Sequence, residues 1–225
     1  MAAPIALIQG ASRGLGLEFC RHILKNKSLA GVIATCRNPD GATELRGLAD
    51  QHPGRLTVLK LDVDQEEDIR GAAERVKESF GRLDLIVNSS AMLHPSGKGE
   101  TSLRDVSAQG IISTLTTNTV GPLVMAKYFV PLLQKGGGGF GQQPAETAKQ
   151  HSGIVVNITA KVGSIGDNGI SIVLIIVLKP CLFAYASECT NTALLFYNLL
   201  SQVLVGGTAI ECLKQLSTWQ PGICL

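Results

Sequence analysis

Two apolar patterns alternate along the first 160 residues. Residues 4–9 form a short apolar run that ends in a glycine-rich turn. Beyond it Leu15, Phe19, Cys20, Ile23 and Leu24 recur at helical spacing. Residues 31–36 read as a second strand, 42–51 as a helix, and 56–63, with Val58, Leu59 and Leu61, as a third strand. Ile69, Ala72, Ala73, Val76 and Phe80 mark one face of the next helix, and 83–88 supply a fourth apolar run. Residues 107–134 suit one long helix or two, interrupted near Gly121 and Pro122, and 153–159 a fifth strand. Between them, 135–152 carry four consecutive glycines and predict a flexible loop insertion. Strands alternating with helices at this spacing predict an α/β fold: a doubly wound parallel sheet of at least five strands, covered on both faces.

Composition sharpens this picture and divides the chain. The 225 residues suit one domain with a full core, and 45% apolar residues against 17% charged argue against disorder. A net charge of +2 gives no electrostatic case for nucleic acid or an acidic membrane as partner. The six cysteines form neither C-x-x-C pairs nor a metal-ligand pattern, so no metal site is expected, and a reducing cytoplasmic setting fits them. The first residues show no basic segment ahead of an apolar stretch, so no signal peptide is expected. Only four charged residues, Lys179, Glu188, Glu211 and Lys214, fall in 171–225. The reading is therefore a folded unit over 1–170 and an atypical apolar tail over 171–225.

The chemistry lies in the first turn. Gly10, Gly14 and Gly16 stand between the first strand and the first helix. There glycines let the backbone approach a phosphate, and the helix N-terminus presents free N–H groups. The spacing G-x-x-x-G-x-G resembles the short-chain dehydrogenase/reductase family over about three-quarters of the chain, and further matches follow in that family's order. They are Leu61-Asp62-Val63, Asn88, Asn118 and Val155-Val156-Asn157-Ile158. Thr35-Cys36-Arg37-Asn38 and the segment from Val162 to Asn168 are most similar to the sniffer and C-signal group of carbonyl reductases.

The resemblance implies a Rossmann-like domain, truncated and irregular at its C-terminus. It implies a phosphate turn of Gly10, Ser12, Arg13, Gly14, Leu15 and Gly16, adenine flanked by Asp62 and Val63, and Asn88 lining the ribose and nicotinamide channel. An acidic residue after the second strand would favour NAD; here Arg37 stands there, and with Arg13 it suits the 2′-phosphate of NADP. NADP is thus the expected cofactor, a small carbonyl or alcohol the expected substrate, and a homo-oligomer is compatible with the family. Asn-Asn-Ala-Gly of the family appears as Asn88-Ser89-Ser90-Ala91, so only Asn88 carries over.

The catalytic half departs further. In the family a tyrosine donates a proton, a lysine four residues on lowers its pKa, a serine orients the carbonyl and an asparagine supports a water chain. Asn118 matches the asparagine, but the serine position falls on Ala160, with Thr159 and Ser164 as neighbours. No Tyr-x-x-x-Lys occurs: Tyr185 has Cys189 at the lysine position, and Tyr128 and Tyr197 lack a lysine too. His22, His52, His94 and His151 show no partner pattern and read as surface residues. Shifted by one reading frame, the codons of 206–221 permit a string containing Tyr-x-x-x-Lys. The expectation is a frame-shifted or alternatively spliced C-terminus and an impaired oxidoreductase. The alternative is a non-catalytic dinucleotide-binding or interaction protein. Membrane insertion is disfavoured, because the apolar run 170–178 is about half a spanning length and polar residues interrupt 189–205.

Overall fold

Every residue of β1 (Ile5–Gln9), β2 (Gly31–Cys36) and β4 (Leu85–Asn88) is buried in the computed structural model. Strands without in–out alternation belong in a parallel sheet between two helical layers. The structure describes residues 4–25, 31–98, 102–137, 153–158 and 193–194. With β3 (Leu56–Lys60), β5 (Ile154–Asn157) and β6 (Ala193–Leu194), the strands form one sheet in the order β3-β2-β1-β4-β5-β6. All neighbours run parallel. The order reverses between β1 and β4, which opens a crevice at their C-terminal ends.

Helices α1 (Gly14–Lys25) and α2 (Thr43–Gln51) cover one face, where Leu17, Cys20, Leu24, Leu45 and Leu48 pack on Ala6, Ile8, Ala34 and Val87. On the other, α3 (Glu66–Phe80) and α5 (Gly121–Leu133) set Ile69, Val76, Met125 and Phe129 against Leu7, Ile33, Ile86 and Val155. The Lys127 ammonium and the Tyr128 hydroxyl both donate to Glu66 Oε1, at 2.7 and 2.8 Å, and tie α5 to the start of α3.

One expectation changes and two gain detail. Over 107–134, expected as one long helix or two interrupted near Gly121 and Pro122, α4 (Ala108–Leu115) runs through a π-helical segment, Thr116–Val120, into α5. Proline is tolerated in a helix's first turn, where no N–H is needed, and the wider turn absorbs the change of register. The third strand stops at Lys60, and Asp62 N–H turns to bond Asp68 Oδ2 at 3.2 Å. Within the tail, Ala193–Leu194 pairs with Ile154 and Val155 as β6, a strand inside a stretch considered as a membrane-associated helix. No helix among the described residues is long and apolar enough to cross a membrane. Thr159, Ala160, Ser164, Tyr185, Cys189, Tyr197, His151, the glycine-rich loop beyond Gly137 and the frame-shifted reading of the C-terminus lie outside the described residues.

Candidate cofactor site at the sheet's C-terminal edge

The turn after β1 is fastened at one end and open in the middle. Gly10 and Ala11 N–H both donate to the Thr35 carbonyl, at 3.0 and 2.9 Å, which anchors the turn on β2. A Cβ on Gly16 would lie 2.2 Å from the Gly10 carbonyl oxygen, so the turn closes on itself only with glycine there. Gly14 has φ 59°, and a Cβ on it would meet nothing within 4 Å, so this backbone faces open space. Helix α1 starts at Gly14 with no acidic residue in its first turn, leaving N–H groups and the positive end of the helix dipole uncancelled. Leu15 packs on the core, so only its backbone can serve a ligand. Ser12 is half-buried, and Arg13 and Arg37 are exposed without an ion pair among the described residues. Burial pushes the thiol of Cys36, just before Arg37, above its ordinary pKa.

Beside the turn, the last rung of the sheet is polar. Thr35, Gln9, Asn88 and Asn157 stand in register across β2, β1, β4 and β5. The three buried polar residues of the described strands, Gln9, Thr35 and Asn88, all lie on this rung. Asn88 Nδ2 donates to Asn157 Oδ1 at 2.7 Å, while Asn88 Oδ1 and Thr35 Oγ1 are buried with no hydrogen-bond partner among the described residues. Buried polar atoms are ordinarily paired, so these two mark an edge built to meet something else.

A third group of residues closes the site toward α3 and α5. Asp62 Oδ1 accepts from Asp64 N–H at 3.1 Å, and the Val63 side chain lies in the core against Gly121. The Asp64 carboxylate accepts from Thr117 Oγ1, at 2.8 and 3.0 Å to its two oxygens. Asn118, 6% exposed, holds the loop after β4 from both sides: its Oδ1 accepts from Met92 N–H at 2.8 Å and its Nδ2 donates to Met92 O at 2.7 Å. Both heteroatoms of its side chain are thus engaged with that loop. Among the histidines read as surface groups, His22, His52 and His94 are half-buried, and His94 Nδ1 bonds Ser96 Oγ at 2.7 Å beside Gly110.

The structure thus gathers the turn, Asp62, Val63, Asn88 and Asn118 at one sheet edge. A turn rich in free N–H groups, opening on the crevice of a doubly wound sheet, is the arrangement that receives a dinucleotide phosphate. A family model described as short chain dehydrogenase matches residues 4–172. The chain belongs to the short-chain dehydrogenase family. Among solved structures, the NADPH-bound carbonyl reductase from chicken fatty liver is 30% identical, with a TM-score of 0.64 over 74% of this chain and 61% of that one. The carbonyl reductase Sniffer of Drosophila melanogaster shares the fold, with a TM-score of 0.63 over 76% of this chain and 66% of that one, at 24% identity. L-fucose dehydrogenase of Bos taurus is 29% identical over 169 residues, 74% of this chain and 53% of that protein. This short-chain dehydrogenase chain spans about half the length of the curated relatives it matches.

Sequence reasoning left Gln9, Asp64, Ser90 and Thr117 without a role. A signal existed for Gln9: in β1, β4 and β5 an otherwise apolar strand closes on a residue with a side-chain amide. The Asp64–Thr117 bond spans 53 positions and leaves no local pattern.

Proposed function

We propose that this chain binds NADP, in preference to NAD, and is an oxidoreductase of the carbonyl–alcohol type whose own turnover is impaired. The observation that carries the binding half is the open, acid-free turn at Gly14 with Arg37 directly after β2. The N–H groups of Gly14, Leu15 and Gly16 would hold the pyrophosphate, with Gly10 and Ser12 shaping the turn, while Arg13 and Arg37 meet the 2′-phosphate. Asp62 and Val63 would flank the adenine, and Asn88, whose Oδ1 has no partner among the described residues, would face the nicotinamide half. The NADPH bound in the chicken carbonyl reductase supports this choice of cofactor. When bound, the cofactor supplies or accepts a hydride.

The impairment rests on the proton. Carbonyl reduction needs an acid at the substrate oxygen, and no tyrosine of this sequence has a lysine four residues later. Loss of a general acid slows such a step about 10²- to 10⁴-fold. Asn118 and the π-helical segment remain as support for the site, with nothing in this sequence matching the donor they would serve.

Calorimetric titration with NADPH and NADH, together with turnover assays on a panel of aldehydes and ketones, tests both halves. NADPH should bind at least about tenfold more tightly than NADH, the effect of one or two charge-assisted bonds. Arg37→Gln should remove that preference and leave NADH affinity unchanged. Equal affinities would overturn the NADP assignment, and rapid turnover would overturn the impairment. Binding without turnover would favour the non-catalytic reading that the absent Tyr-x-x-x-Lys already suggests.

A further inference from the structure

Gln9 is 3% exposed, and a buried amide needs partners for both of its heteroatoms. It finds both in one residue of the loop after β4. Gln9 Oε1 accepts from Ser90 N–H at 3.1 Å, and Gln9 Nε2 donates to Ser90 Oγ at 2.7 Å. Ser90 occupies the place a side chain on Gly10 would take: a Cβ there would lie 2.5 Å from Ser90 Oγ and 2.8 Å from Ser90 N. The first glycine of the phosphate turn and the loop after β4 are thus locked in contact, with Gln9 bonded across the joint.

The strands do not need this clasp in order to pair. Gln9 and Asn88 are already in register, and Ser89 N–H donates to the Gln9 carbonyl at 3.0 Å. What the side chains add lies beyond the ladder, between the two loops that border the site. We infer that Gln9 and Ser90 are a matched positioning pair that fixes the phosphate turn against the loop after β4 and so sets affinity for a dinucleotide. The pairing departs from the pattern that this chain otherwise resembles, which has alanine where Ser90 stands, and an alanine would strand Gln9 Nε2. This inference rests on the cofactor reading above and assigns that site two further residues.

The test is a double-mutant cycle of Ser90→Ala and Gln9→Met, read by titration with NADPH and with adenosine 2′-monophosphate, a fragment lacking the pyrophosphate. Each single variant should weaken NADPH binding about tenfold, and the pair no more than either alone. Adenosine 2′-monophosphate should bind all four proteins within about twofold, the scatter of independent sites. Additive losses, or equal losses for both ligands, would overturn the positioning role. Wild-type protein that binds no NADPH would overturn the cofactor reading itself, a different and separately visible failure. Should a variant not fold, the Gln9 side-chain amide resonances of the wild type decide: they should move in step with NADPH saturation, and fixed resonances would overturn the inference.

Discussion

Gly14 and Gly16 show how one residue type meets two demands in the same turn. Gly14 needs a positive φ and leaves room for a ligand, whereas Gly16 needs the absence of a side chain against the Gly10 carbonyl. Gly16→Val should therefore break the turn itself, lowering the melting temperature and abolishing dinucleotide binding. Gly14→Asn, a residue that tolerates the left-handed region, should melt close to wild type yet bind NADPH poorly. Differential scanning fluorimetry with and without NADPH separates the two outcomes. Cys20 tests the core rather than the site. Burial without a compensating charge pushes its thiol up to about 12 from an ordinary 9.0. The folded chain keeps this proton where the unfolded chain has lost it, so the stability is complete below about pH 9 and is lost as pH rises toward 12. Cys20→Ala should flatten that alkaline decline in urea denaturation midpoints measured from pH 8 to 11.

At the scale of elements, the π-helical segment does the most positioning. It turns Thr117 toward Asp64 in the loop after β3 and Asn118 toward Met92 in the loop after β4, so one irregular helical turn braces both sides of the crevice. Asn118→Leu removes both bonds to Met92 and leaves a backbone N–H and a carbonyl without partners. It should cost about 2–4 kcal/mol in urea denaturation, one to three for each orphaned group with some relaxation. An unchanged midpoint would show that the loop holds its place without Asn118. The strands and helices here were legible because burial writes itself into local periodicity. The apolar face of α3 and the runs of β1, β2 and β4 could be read directly. The π segment was not, since Gly121 and Pro122 look like a break in any local window, and only the packing of Gly121 against Val63 shows why the chain continues.

For the molecule as a whole, the sheet order reverses between β1 and β4, and the turn after β1 and Asn88 at the end of β4 border the resulting crevice. Chain order made that topology readable, because right-handed crossovers leave few arrangements for five alternating strands and helices. The long-range polar joints were not readable: Gln9 meets Ser90 across 81 positions and Asn88 meets Asn157 across 69. Only folding shows that these polar strand ends share one rung. The account stands on a dinucleotide phosphate resting against the start of α1. Backbone amide shifts on titration with NADPH test that most directly. Gly14, Leu15 and Gly16 should move saturably and furthest, along with Arg37. A folded sample in which those amides stay fixed while NADPH is added to saturation would contradict it.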